Sequence, residues 1–213
     1  MKPTHRRFKR ISSNACKASE PGLMGNDSQI LRIHHWTLES RANGPGLRAV
    51  VWVQGCSLGC PGCFNPQTHP RKGGKAVLVE DLLAEIKTRK DQIEGVTISG
   101  GEPLQQMPAL LELLKHLRRE TRLSVLTFTG FTWDEVQRMP HSAELLANLD
   151  VLIAGRFEAS QRLARGLIGS ANKTVHFLTQ RYNQEDLQVT PPAEIWIGRN
   201  GEIELSGIDP LRW

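Results

Sequence analysis

Val53-Gln54-Gly55-Cys56-Ser57-Leu58-Gly59-Cys60-Pro61-Gly62-Cys63-Phe64-Asn65-Pro66 is the stretch on which the reading of this chain turns. Three of the four cysteines fall within it, spaced Cys-x3-Cys-x2-Cys and separated by glycines. A disulfide framework needs more cysteines in a shorter chain, so thiols crowded this way look like metal ligands in a reducing compartment. Gly55, Gly59 and Gly62 let the backbone wrap closely around the sulfurs. Three thiolates can each hold one iron of a cubane and leave the fourth iron open, whereas electron-transfer clusters use four cysteines. Structural zinc also normally takes four ligands, and at this point it stays open as the alternative. Cys16, far upstream, reads as a free thiol.

Working outward, residues 47–54 ahead of the loop are rich in Leu, Val and Trp and read as a strand, as do residues 30–36. Asn43-Gly44-Pro45-Gly46 between them is a turn signal. Beyond the loop, Val79, Leu82, Leu83 and Ile86 fall on one helical stripe, and so do Leu110, Leu113, Leu114 and Leu117. Strands are predicted at 95–99, 123–129, 151–154 and 173–178, with a helical segment from Thr132 that Pro140 interrupts. Residues 194–197 and 202–205 pair as a hairpin across Asn200-Gly201. Strands alternating with helices imply βα units on a parallel sheet. About six strands fall short of a full eightfold barrel, so the expected architecture is α/β, a partial, open (β/α)6-type barrel. In such sheets the chemistry sits at the C-terminal ends of the strands. The cysteine loop, Gly100-Gly101-Glu102-Pro103, Thr129-Gly130 and Gly155-Arg156 each follow a strand and should share one rim.

The cysteine loop resembles the signature of radical S-adenosylmethionine (SAM) enzymes. The likeness extends through Ser99-Gly100-Gly101-Glu102-Pro103-Leu104, Phe128-Thr129-Gly130-Phe131, residues 150–157 and Gly169-Ser170-Ala171-Asn172, in the order found in the anaerobic ribonucleotide reductase activating proteins. It covers roughly residues 30–207. The resemblance implies a [4Fe–4S] cluster on Cys56, Cys60 and Cys63 that binds SAM at its fourth iron. Reductive cleavage would then yield a 5′-deoxyadenosyl radical, which takes a hydrogen from a glycine of a partner. That partner would be a glycyl-radical enzyme such as anaerobic ribonucleoside-triphosphate reductase, with electrons from a flavodoxin- or ferredoxin-type donor.

The same resemblance assigns Ser99, Gly100, Gly101 and Glu102 to the methionine amino group, and a carboxylate is a suitable acceptor for an ammonium. It sets Phe64 against adenine and adds Thr129, Gly130, Arg156 and Asn172 to the SAM site. The chain departs from the pattern at Ala154, where relatives often carry Asp. It departs again at Arg156, where Lys is common and which could face the SAM carboxylate, and in 169–173, where relatives read Gly-Ser-Ser-Asn-Gln. A radical SAM enzyme acting on a small molecule, such as 7-carboxy-7-deazaguanine synthase, is the alternative within enzymology. Its cysteine loop usually continues differently around the last Cys.

Charge sharpens this. The 213 residues carry a formal net charge of +5. Residues 1–23 hold six of the 27 Lys/Arg and one of the 22 Asp/Glu, so the remainder balances at 21 of each. The basic excess is an arm, and the neutral body argues against the rival reading as a zinc-dependent nucleic-acid-binding protein. No apolar run approaches the roughly 20 residues that cross a bilayer, and no apolar signal core opens the chain. A cytoplasmic protein is expected, with residues 1–28 a disordered basic extension and 29–213 the catalytic domain. The open rim should receive the partner, and the extension should be dispensable. His34 and His35 should point to opposite faces of one strand, His116 should be solvated, and His176 should be a structural histidine. Trp36, Trp52 and Trp196 suit packing in strands.

Overall fold

The computed structural model describes residues 28–198 and 200–208; the basic segment with its expected disorder, and Cys16, lie outside these. Strands β1 (Ile30–Ser40) and β2 (Arg48–Val53) pair antiparallel around the glycine-rich turn at 43–46. After the cysteine loop, β3 (Lys75–Leu78) adds antiparallel to the other side of β1, and α1 (Val79–Lys87) follows at once. Strand β4 (Gly95–Gly100) lies parallel to β2. Helix α2 (Met107–Glu120) then crosses back to β5 (Ser124–Phe128), parallel to β4. Helices α3 (Trp133–Arg138) and α4 (Ser142–Ala147) lead to β6 (Val151–Ala154), parallel to β5. A hairpin of β7 (Arg162–Arg165) and β8 (Ile168–Ser170) precedes β9 (Thr174–Phe177), which returns antiparallel to β6. Helix α5 (Gln184–Gln188) and a second hairpin, β10 (Ala193–Ile197) with β11 (Ile203–Gly207), complete the described chain.

The main sheet runs β3-β1-β2-β4-β5-β6-β9. Its centre is parallel, as the βα alternation requires, and antiparallel strands flank it on both sides. The two leucine stripes cover it. Leu82 and Ile86 of α1 are buried, and Leu110, Leu113, Leu114 and Leu117 of α2 have no exposed surface. Each such side chain contributes about 1.5–3 kcal/mol relative to leaving it in water. Four elements were not anticipated: β3, the two strands β7 and β8 of the hairpin, and α5, whereas α3 and α4 are the two parts of the helical segment that Pro140 interrupts. All four are short, three to five residues, and stand on tertiary pairing more than on their own periodicity.

The C-terminal hairpin forms where expected. Glu194 accepts from Ser40 Oγ and from the Arg41 amide, and Ser206 Oγ accepts from Asn43 Nδ2 at 2.6 Å. Trp196 is not packed as expected: it is 47% exposed, because a two-stranded sheet leaves one face uncovered. Trp36 does pack against the core, donating from Nε1 to Glu85 Oε2 at 2.6 Å.

Candidate functional site

The parallel strands β2, β4 and β5 end at one cleft of about 550 Å³. Cys56, Cys60 and Cys63, all free and partly buried, line it together with Ser99, Gly100, Gly101, Glu102, Thr129 and Gly130. The rim expected from the strand order therefore exists for three of its four loops.

The loop is wired in place by backbone and glutamines. Gly55 and Cys56 amides donate to the Thr68 and His69 carbonyls at 2.7 and 3.0 Å. Gln54 is buried, with Nε2 donating to Pro70 O at 2.7 Å and Oε1 bonded to His34 Nδ1 at 2.9 Å. Gln105 holds the turn from the far side: its Oε1 accepts from the Ser57 amide at 3.1 Å, and its Nε2 donates to Ser57 Oγ at 2.6 Å. The glycines at 59 and 62 have φ of 59° and 72°, a left-handed turn that other residues adopt at a cost. Burial pushes the Cys56 and Cys63 thiols up, against backbone N–H donors from Leu58 and Gly59 to the first and Asn65 to the second.

Gly100 and Gly101 are required by the protein itself. A Cβ on either would collide with the backbone of β2 or of Gly55, where Gly101 N and Glu102 N donate to Val53 O and Gly55 O at 2.8 and 2.9 Å. The two strand ends are thus zipped together below the cysteines. Glu102 is fully buried. Its Oε1 accepts from the Leu104 amide at 3.0 Å and Thr129 Oγ1 at 2.8 Å, and its Oε2 accepts from the Gly130 amide at 2.7 Å. Burial raises its pKa, and these donors and Lys173 oppose the rise. The carboxylate first expected as a ligand acceptor is therefore also a clamp between two rim loops, and Oε2 retains one lone pair.

Phe64 lines the cleft, packed on Phe157 with ring centroids 4.6 Å apart and the Arg162 guanidinium 4.9 Å above it. Gly169 is the counterpart of that packing, since a Cβ there would lie 2.7 Å from the Phe64 ring. Two expected site residues are not among those lining this cleft, although Arg156 stays within electrostatic reach of Cys60 and Glu102. Arg156 makes a two-pronged pair with Glu135, at 2.8 and 3.1 Å, and is absent from the cleft lining. Asn172 braces the following loop, donating from Nδ2 to Arg156 O at 2.9 Å and to Glu158 Oε1 at 3.1 Å. Ala154 is fully buried, where an Asp would carry a heavy desolvation cost.

Other lining residues were missed or misread. Lys173 lines the cleft, with Nζ donating to Gly155 O, and burial lowers its pKa. His34 and His35 both reach the cleft, because a register shift between Ile33 and His35 breaks the strand's alternation. Trp52 lines it too, stacked on His35 at 5.6 Å. His176 is structural, stacked on Trp133 at 3.8 Å and bonded through Nε2 to Thr174. His116 bonds Glu112 and Glu120 on α2. The histidine bulge had no signal in the sequence, and Lys173 had one only in its closeness to the 169–172 motif.

The donor set fits a cluster. The three thiols face one cleft and influence one another electrostatically. A cubane places its irons at separate corners, which is what three spaced thiolates on one loop can grip.

Comparison with known proteins agrees with this geometry. Residues 42–176 match the 4Fe-4S single cluster domain. The anaerobic ribonucleoside-triphosphate reductase-activating protein of Salmonella typhi is 31% identical over 70% of this chain and 99% of its own length. The pyruvate formate-lyase 1-activating enzyme of Escherichia coli K12 is 30% identical over 80% of this chain and 67% of its own. A crystal structure of QueE from Escherichia coli aligns at 22% identity and a TM-score of 0.40, over 48% of this chain and 53% of that one, too loosely to decide anything. With the family match spanning residues 42–176 and a relative 31% identical that is covered over 99% of its own length, the chain belongs to the 4Fe-4S single cluster domain family, alongside the anaerobic ribonucleoside-triphosphate reductase-activating proteins.

Proposed function

We propose that this chain is a radical SAM activating enzyme that installs a glycyl radical on a partner enzyme, the partner being of the anaerobic ribonucleoside-triphosphate reductase kind. The observation that carries the reading is the meeting of Cys56, Cys60 and Cys63 with the Gly100-Gly101-Glu102 turn on one cleft. The [4Fe–4S] cluster, when bound by the three thiolates, supplies the electron that cleaves SAM. The protein's task is to bind, orient and shield. Ser99, Gly100, Gly101 and Glu102 present carbonyls and a carboxylate lone pair to the amino group of SAM. Phe64 offers its ring to the adenine, and Thr129 and Gly130 complete the wall. Asn172 serves from behind by holding the loop of residues 156–158.

The open sheet is, on this reading, the partial barrel of that family, and residues 29–213 act as one catalytic domain with 1–28 dispensable. A flavodoxin- or ferredoxin-type protein in a reducing cytoplasm would supply the electron. Among the described residues no helix is long and apolar enough to cross a membrane.

The test is anaerobic reconstitution. The protein should turn brown with about four irons per chain and give an EPR signal, when reduced, that SAM alters. With the partner reductase added, a glycyl-radical signal should appear. Cys60→Ala should lose iron, SAM cleavage and radical together. A colourless, zinc-loaded protein would end the reading, and SAM turnover driven by a small substrate with no partner would replace the activase assignment.

A further inference from the structure

The cleft carries one acidic side chain, Glu102, and one Lys or Arg, Lys173, among the described residues that line it. They arrive from distant parts of the chain. Glu102 follows β4, while Lys173 stands just before β9, whose antiparallel pairing with β6 brings its start to the same rim. The Lys173 ammonium donates to Gly155 O, and among the described residues it makes no hydrogen bond or close ion pair with a carboxylate, Glu102 acting on it only at longer range. An ammonium has three donors, so two remain to be placed. A partly buried ammonium held by one carbonyl has not recovered the hydration it gave up. Arg156, on the neighbouring loop, already spends both terminal nitrogens on Glu135.

We propose that Lys173, rather than Arg156, receives the carboxylate of SAM, opposite the Glu102 turn that takes the ammonium. One cation and one anion on the same cleft complement the zwitterionic amino-acid end of the molecule, and a charge-assisted hydrogen bond to a carboxylate is among the stronger polar contacts. The inference rests on the SAM reading above and names a residue of that site. A rival role, offsetting the charge of the nearby cysteine thiolates, predicts a different outcome.

The measurement is equilibrium binding of SAM and of decarboxylated SAM to the oxidised, cluster-loaded protein, where no turnover occurs. Wild type is compared with Lys173→Met and Lys173→Arg, with iron content and cluster absorbance recorded alongside. Lys173→Met should weaken SAM about 10- to 100-fold and leave decarboxylated SAM unchanged, and Lys173→Arg should recover part of the loss. Equal affinity of Lys173→Met and wild type for SAM overturns the assignment. So does a Lys173→Met protein that loses iron or weakens both ligands alike, which would give the residue to the cluster. Wild type that binds neither ligand would sink the SAM reading itself.

Discussion

The two ends of the parallel strands each bury a charge, and they use it differently. At the N-terminal end, Arg48 is fully buried at the start of β2. Its guanidinium donates to Thr97 Oγ1 at 2.8 Å, Ser124 Oγ at 2.9 Å, Val96 O at 2.9 Å and Tyr182 Oη at 3.2 Å. Tyr182 in turn donates to Glu94 Oε1 at 2.9 Å. Gly95 makes room, since a Cβ there would lie 2.7 Å from Arg48 Nη1. At the C-terminal end, Glu102 stitches two loops together in the same way, yet it borders a cleft in which Lys173 and the three cysteine thiols also stand. One end closes on itself and leaves nothing for a ligand to do. The other satisfies its frame and keeps reactive groups open. Burial of a charge by itself marks neither a site nor a strut; what its remaining valences face decides which it is.

That contrast can be broken at Arg48 first. Replacing it with Met strips several buried acceptors of their donor at once and should cost about 3–5 kcal/mol, a fall in Tm of roughly 6–20 °C for a chain this size. Iron uptake and SAM binding measured well below the new Tm should match wild type. A stable Arg48→Met protein that cannot bind SAM would show that the two ends are not separate.

Glu102→Gln sharpens the other half. The amide keeps the shape, but its NH2 must meet a donor that the carboxylate had accepted from, at about 1–3 kcal/mol. Calorimetry should show a Tm drop of a few degrees even without cluster, together with weaker SAM binding. An unchanged Tm would remove Glu102 from the frame and leave it a ligand group alone.

The smallest effect belongs to Glu135 and Arg156. This pair is well exposed and screened by water, so Glu135→Gln should cost only about 0.5 kcal/mol at neutral pH. Arg156 holds the Glu135 carboxyl down to about 2 from the ordinary 4.5. The stabilisation is therefore present above pH 4.5 and is lost as the pH falls towards about 2. Wild type and Glu135→Gln should differ in urea midpoint at pH 7 and converge at pH 2. A gain in SAM affinity in Glu135→Gln would mean that Arg156, once released, reaches the cleft after all.

The sequence by itself determined the features that local spacing encodes. The cysteine loop, the Gly-Gly-Glu turn, the two leucine-striped helices and the central βα order are all consequences of residues close together in the chain, where turn chemistry and periodicity act. Only the tertiary structure decided which charges face the cleft. In the sequence only Arg156 stood out as a cation for the site; Glu135, far from it in the chain, pairs with that guanidinium, and the reversal of β9 against β6 brings Lys173 to the cleft. The histidines follow the same rule, since the register shift between Ile33 and His35 turns both toward one space. Strand direction and register are settled by pairing across the sheet, where each strand's side chains are read against a neighbour that the linear chain does not identify.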